Sequence, residues 1–369
     1  MLIAHKVELR PTKPQADYLN KCIGHSRNIY NNLLRHFSQE GVKWSKKEAR
    51  IKFMELRATD CPYYDEISAD FLRESINNLD NAYKHFFRRV KNGEGKAGYP
   101  TKRKLGVHDV CALRDKKKFL VGDDGLRFEK FNKRKTQSPI KLREKLRFTG
   151  TVKQMNISKR AGKYFCSFLV DTEDYNPKDC DRQNSVGVDF GIKDLAICSS
   201  GKKFGANQKL KASLKRLARK QRRLAKQVKG SNRRAKTKQA IQKLHKRIAD
   251  QRTATLHEVS DCLTRSFDRI VIEDLNVSGM VKNGKLARAI ADCGFYELRR
   301  QLEYKSQWRN CELVIADRWF ASTKICSHCG HKNSDVVLGV ESWECPKCLT
   351  MHDRDSNASI NLDNYQKVA

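Results

Sequence analysis

The sequence predicts a mixed α/β sheet flanked by helices, with a small metal-built insert near its end and with helical and β-rich segments before it. Three observations carry this expectation. Apolar runs alternate with helical stripes from Ser185 onward; the periodicity turns from helical to strand-like near residue 100; and Cys326, Cys329, Cys345 and Cys348 form two CxxC pairs separated by 15 residues.

Residues 3 to 10 alternate as a short strand, and Thr12 with Gln15 makes a capping-box start for a helix striped by Tyr18, Leu19, Cys22, Ile23, Ile29, Tyr30, Leu33, Leu34 and Phe37. Leu72, Ile76, Leu79, Tyr83 and Phe86 repeat at helical spacing, and the glycine-rich KNGEGKAGYP at 91 to 100 ends that second block. Residues 1 to 90 therefore read as mostly helical. Between 100 and 180, runs such as KFLV, LRFEKF and KYFCSFLVDT alternate with Gly, Asp and Lys turns, which predicts a small antiparallel barrel. The polar stretch Asn176 to Asn184 reads as a linker.

Val186 to Asp189 is an apolar strand ending in a carboxylate, and Leu195 to Cys198 is its hairpin return. From Lys202 to Arg252, 20 of 51 residues are Lys or Arg and Asp250 is the only acid. Leu210, Leu214, Leu217, Leu224 and Val228 keep a helical stripe there, GSN at 230 to 232 turns the chain, and Ile241, Leu244, Ile248, Val259 and Leu263 stripe a second helix. This is a basic helical hairpin. So little counter-charge, with like charges four apart, implies an external polyanion. Ile270 to Ile272 is a further apolar run that delivers Glu273, a helix follows from about Leu286 to Trp308, CELVIAD at 311 to 317 is a strand, and Asp355 opens a last short helix.

At 369 residues the chain can bury a sizeable core in two or three domains. Lys and Arg number 76 against 42 Asp and Glu, a formal charge of +34. That excess points to nucleic acid. No apolar stretch approaches the roughly 20 residues that span a bilayer, and MLIAHKVELRPT lacks a signal-peptide core. The expected place is the cytoplasm, with nucleoid association in a bacterium, and no membrane partner. Nine of the 13 cysteines lie outside the CxxC array, scattered singly, as packing residues in a reducing compartment. The array itself has the spacing with which four thiolates surround one structural zinc.

Asp189, Glu273 and Asp355 each end a predicted strand or open a helix at one place in such a sheet. Alone, each is as readily a turn former or cap. Together they supply the hard oxygens that two divalent ions about 4 Å apart need to clamp a phosphodiester, and magnesium is the expected ion. Asp274 and Asp353 compete for these places. Neighbours in a strand face opposite sides, so Glu273 and Asp274 cannot both enter one site.

GVDFGIKDLA (187 to 196), IVIEDLNVSGM (270 to 280), the CSHCG and CPKC knuckles and HDRDSNAS (352 to 359) resemble the RuvC-type nuclease motifs and inserted zinc ribbon of the TnpB family, transposon-encoded proteins similar to compact CRISPR effector nucleases. KVELRPTKPQADYLNKCIGHSRNIYN resembles the family's opening segment, so the resemblance covers nearly the whole chain. It implies an RNase H-like (RuvC) nuclease domain over 185 to 369, with the basic hairpin at 202 to 265 and the zinc ribbon at 322 to 350. Before it the resemblance implies a wedge-like β-barrel from 1 to 10 and 100 to 180, with a helical recognition region inserted at 11 to 99. Carried over by motif, the catalytic acids and magnesium ligands are Asp189, Glu273 and Asp355. Asp353 is left to a capping or supporting part. Ser359 and Leu349 stand where the family commonly has alanine and glycine.

The implied activity is that of an RNA-guided DNA endonuclease of an insertion sequence, acting as a monomer with one guide RNA from the element's end on double-stranded DNA. Arg216, Arg219, Arg222, Arg223, Arg233 and Arg234 are the candidates for backbone binding, Arg73, Ser75, Asn77 and Asn78 for reading a target-adjacent motif, and Tyr63, Tyr64 and Trp319 for base stacking, with packing the commoner use of such aromatics. Two other readings share these features. A nuclease-silent RNA-guided regulator would have lost an acid, and a transposase would act on the element's own ends.

Overall fold

The computed structural model describes residues 1–93, 95, 97–132, 138–172, 182–206, 209–284, 286–337 and 339–366; the side chains of residues 209–212 are outside that set. Most of the expected linker at Asn176 to Asn184 and the side chain of Leu210 therefore fall outside the described residues. The chain folds as two compact units, Met1–Tyr175 and Asn176–Ala369.

The first unit begins with β1 (Leu2–Arg10), followed by α1 (Lys13–His36), α2 (Lys46–Ala58) and α3 (Ala69–Lys91). The strands β2 (Val110–Leu113), β3 (Phe119–Gly122), β4 (Gly125–Phe128), β5 (Lys141–Leu142), β6 (Thr151–Arg160) and β7 (Lys163–Asp171) complete it. The Thr12 amide donates to Gln15 Oε1 at 2.9 Å, as the capping box requires, and the Gln15 amide reaches on to the carbonyls of Ser138 and Pro139. β1, β2, β5, β6 and β7 form an antiparallel sheet in the order β2-β6-β7-β1-β5, and β3 and β4 form a separate hairpin. Among the described residues the strands expected as a small antiparallel barrel form this sheet and this hairpin. The hairpin joins on next to β5, where Leu126 of β4 and Ile140 exchange backbone hydrogen bonds at 3.0 and 2.9 Å. One apolar cluster joins Leu19, Leu33, Leu72 and Leu79 of the helices to Val7, Ile157 and Phe168 of the sheet. α2 escapes sequence reading because its charged stretch buries only Ala49 and Phe53.

The second unit contains β8 (Gln183–Asp189), β9 (Asp194–Cys198), β10 (Lys203–Gly205), α4 (Lys209–Ala225), α5 (Asn232–Ser266) and β11 (Phe267–Ile272). After these come α6 (Val277–Met280), α7 (Ala287–Cys293), α8 (Phe295–Arg309), β12 (Glu312–Ile315), β13 (Ser342–Glu344), β14 (Met351–Asp353) and α9 (Arg354–Asp363). Its main sheet runs β10-β9-β8-β11-β12; β8, β9 and β10 are antiparallel neighbours, while β11 is parallel to both β8 and β12. The centre is apolar on both faces, as a strand covered from both sides must be. Ile270 and Ile272 pack with Leu256, Leu263, Leu298 and Leu302 of α5 and α8, whereas Val271 faces Val314 and Leu362 of α9 on the other side. A buried polar seam also joins α5 to α8: Lys305 Nζ donates to the His257 carbonyl at 3.0 Å and to Ser260 Oγ at 2.8 Å, and burial pushes its ammonium down to about 8.

The basic hairpin is α4 and the first half of α5, held by Leu217, Ile241, Leu244 and Ile248. Val228, read as part of the stripe, is 76% exposed because it lies in the turn beyond α4. Among the described residues no helix is long and apolar enough to cross a membrane.

Candidate active site and cysteine module

Parallel pairing sets Ile272 opposite Val188, so the next residues, Glu273 and Asp189, leave the carboxyl ends of neighbouring strands side by side. β8 is also where the sheet switches from antiparallel to parallel neighbours, the kind of strand-end crevice in which α/β sheets place their sites. The Phe190 amide donates to Glu273 Oε1 at 3.4 Å. Asp355 enters from above, in the first turn of α9.

Gly187 makes that approach feasible. A methyl group there would lie 2.0 Å from the Ser359 carbonyl oxygen and 2.3 Å from the Asp363 amide nitrogen, so only a glycine lets α9 lie flat on β8. The helix is then held at its far end: Asp363 accepts from Ser199 Oγ at 2.8 Å and from the Ser185 hydroxyl, and Arg269 donates to the carbonyls of Asp363 and Tyr365. Sequence reading missed Gly187 as a site determinant. The signal was present, a glycine inside an apolar strand directly before a carboxylate.

The electrostatics show that the carboxyl groups converge. Burial, and then the charges of Glu273 and Asp355, drive the Asp189 carboxyl well above its ordinary range, against the opposing charge of Arg354. Burial pushes Glu273 up to about 7, with Asp355 adding to the rise and the Phe190 amide countering it. Asp355 itself is paired with its neighbour Arg354 at 2.8 Å. The two competitors are employed elsewhere. Arg299, at 2.6 Å, and Arg318 hold Asp274 and keep its carboxyl below the usual range, and Asp353 caps α9 by accepting from the Ser356 amide at 2.8 Å. A cleft of ≈ 510 Å³ opens beside Glu273, lined in part by Phe190, Asp274, Tyr296, Arg299 and Arg318.

Cys326, Cys329, Cys345 and Cys348 come together with their sulfurs all within 4.8 Å of one another. The Cys326–Cys348 and Cys329–Cys345 separations are both 3.6 Å. Sulfurs bound 2.3 Å from a tetrahedral centre stand about 3.8 Å apart, so this donor set fits a single thiophilic metal ion.

The nucleic-acid candidates divide. Arg216, Arg219, Arg222, Arg223 and Arg233 are exposed on the hairpin. Arg234 is not a free surface cation: it is half-buried and donates to the carbonyls of Leu224 and Gln227, closing the C-terminal turn of α4. In the first unit Arg73 is exposed, and Asn77 and Asn78 are half-buried, with Asn77 donating to Glu74. Ser75 is a correction, being 2% exposed with its hydroxyl turned back to the Phe71 carbonyl. Tyr64 is core and Tyr63 is half-buried against His25, but Trp319 is 87% exposed.

Three known families match parts of this chain. A family described as "Probable transposase" (IS605 OrfB) matches residues 167–284, one described as "Cas12f1-like, TNB domain" matches 295–362, and one described as "Helix-turn-helix domain" (IS605 OrfB) matches 1–40. That last region folds here as β1 and the single long helix α1. A Streptomyces pristinaespiralis protein named "Putative RNA-guided DNA endonuclease" is 32% identical over 97% of this chain and 88% of its own length. Escherichia coli (strain K12) has one named "Putative RNA-guided DNA endonuclease InsQ", 30% identical over 98% of this chain and 91% of its own. A solved structure titled as the mini-RNA-guided endonuclease CRISPR-Cas_phi3 aligns over 99% of this chain and 92% of its own, with 10% identity and a TM-score of 0.47, too distant to carry a fold assignment. Full-length identity at this level, joined to matches to the IS605 OrfB families at both ends of the first three-quarters of the chain, means that the chain belongs to the TnpB family of insertion-sequence proteins.

Proposed function

We infer that this protein is an RNA-guided DNA endonuclease of an insertion sequence, and that it hydrolyses DNA at the cluster of Asp189, Glu273 and Asp355. The convergence of three carboxyl groups from β8, the end of β11 and α9, with burial raising two of them, is the observation that carries the reading. Carboxylates this close repel one another unless cations lie between them, and their oxygens are the hard donors that magnesium takes. Asp189, Glu273 and Asp355 would hold divalent cations there, which would supply the positive charge that activates water and stabilises the leaving oxygen.

The strand order of the second unit, third-second-first-fourth-fifth with only the second running against the others, is that of an RNase H-like domain and supports the RuvC assignment over 185–369. The four thiolates suit zinc, which they would hold with every position filled by protein and hence in a structural part. In the first unit the sheet would serve as the wedge and α1 to α3, which interrupt it in sequence after β1, as the recognition region. The exposed arginines of α4 and α5 offer a surface for the guide RNA and its hybrid with target DNA, which proteins hold by backbone and shape. A nuclease-silent regulator has no need of three converging acids.

The test is to purify the protein with RNA from its own locus and assay a plasmid library matching that RNA. Asp189→Ala, Glu273→Ala and Asp355→Ala are each expected to lose cleavage while keeping the RNA. Near wild-type cutting by any one of them overturns the assignment, and strand joining at the element's ends would mark a transposase instead.

A further inference from the structure

The first CxxC turn and the helix that carries Asp355 are joined by more than chain continuity. Asn357 and Asn361 stand one turn apart on α9, 2% and 6% exposed. The Asn361 amide donates to the carbonyls of Ser322 and Ile325 at 2.7 and 2.6 Å, and the Asn357 amide to the Ile325 carbonyl at 2.7 Å. Asn357 Oδ1 in turn accepts from the Ser327 amide at 2.9 Å. Cys326 lies between the residues so gripped. On its other side Cys326 Sγ is 3.0 Å from Nε2 of His352, which β14 places just before α9.

We propose that Asn357 and Asn361 are positioning residues through which the metal-bound cysteine module fixes Asp355 over Asp189. The inference rests on the nuclease reading above. The backbone from Ser322 to Ser327 is a turn whose shape the Cys326 ligand bond would set, and buried amides satisfied by that turn hold α9 only while the turn keeps its shape. The sheet side fixes the far end of the helix through Asp363, and the cysteine module fixes the end that carries the acid. A buried asparagine that merely satisfied a loop would not make the geometry of Asp355 depend on metal at the cysteines.

Hydrogen exchange on the full-length protein with its RNA tests the coupling without reference to cleavage. In the wild type, removing zinc under reducing conditions should speed amide exchange in the first turns of α9 and leave β11 protected. In the Asn357→Ala, Asn361→Ala double variant those turns should exchange fast already, with little added by zinc removal. Asn357→Asp, which keeps the acceptor for Ser327 and loses the donor, should fall between. If α9 exchange in the wild type is indifferent to zinc, or if the double variant with zinc retained keeps full protection, the proposal is overturned. In cleavage, the double variant should bind RNA and target normally but cut roughly tenfold to 100-fold more slowly, the scale of loss from a misplaced catalytic group. Its half-maximal magnesium concentration should rise. Wild-type rate and magnesium dependence in a zinc-loaded double variant also overturn it. Failure of the nuclease reading looks different: the wild type itself does not cut, while the exchange result stands or falls on its own.

Discussion

Gly187, Glu273 and Asp274 show how single residues decide the site. At Gly187 the atoms that an added methyl would strike are backbone, so they cannot swing aside as a side chain would. Gly187→Ala should therefore cost about 1–3 kcal/mol by overpacking, read as a lower urea midpoint with unchanged slope, and should remove cleavage by lifting α9. Glu273 carries a second consequence. Its carboxyl moves from 4.5 in the unfolded chain to about 7 in the fold, so the folded state keeps a proton that the unfolded state has released. That contribution to stability is complete below 4.5 and lost as pH rises through 7. In magnesium-free buffer the Tm should fall more for the wild type than for Glu273→Gln between about pH 5 and pH 7.5, and magnesium should restore it. Equal pH profiles for the two proteins would contradict this. The three acids were legible in the sequence because each sits where an apolar run stops or a helix starts. The choice of Glu273 over Asp274 was not fixed by alternation alone, since it turns on Arg299 and Arg318, which lie far along the chain.

Among the elements, the α4–α5 hairpin divides its cations by task. Leu217, Ile241, Leu244 and Ile248 close its inner seam, and Arg234 is used up on the carbonyls at the end of α4. Arg219, Arg222 and Arg223 remain exposed. Replacing these three with glutamine should lower the magnitude of the slope of log K against log salt for RNA binding by about 0.7–0.9 for each arginine that meets a phosphate, with no change in melting. Arg234→Ala should instead leave the slope in place and open the turn near Leu224 to proteolysis. Periodicity identified the hairpin and its turn but not this division. A helical stripe says which side is apolar, whereas a cap depends on the carbonyls that a partner helix happens to leave open. Ser75 failed for a related reason: a small hydroxyl residue can satisfy itself on the preceding turn and be buried without any apolar signature.

At the scale of the molecule, each unit has its own core. The largest apolar cluster draws every member from residues 7 to 170, and the others draw theirs from residues beyond 185. Residues 1–175 and 176–369, produced separately, are therefore each expected to unfold cooperatively, the second only when loaded with zinc. A gradual transition from either piece would show that its core is incomplete alone. The sequence made the change of style near residue 185 plain. It did not reveal the pairing order of the first sheet, because short strands such as β5, only two residues long, carry too little pattern to fix their neighbours.

α9 lies across a strand made much earlier. Asp189 leaves the ribosome 166 residues before Asp355, and all of α4, α5 and the cysteine module emerge between them. Domains fold as they are synthesised, from the N-terminal side onward. If, as proposed, the basic hairpin holds the guide and the three acids cut, the sequence of the guide-binding part is complete in the growing chain before the cutting site has its third acid.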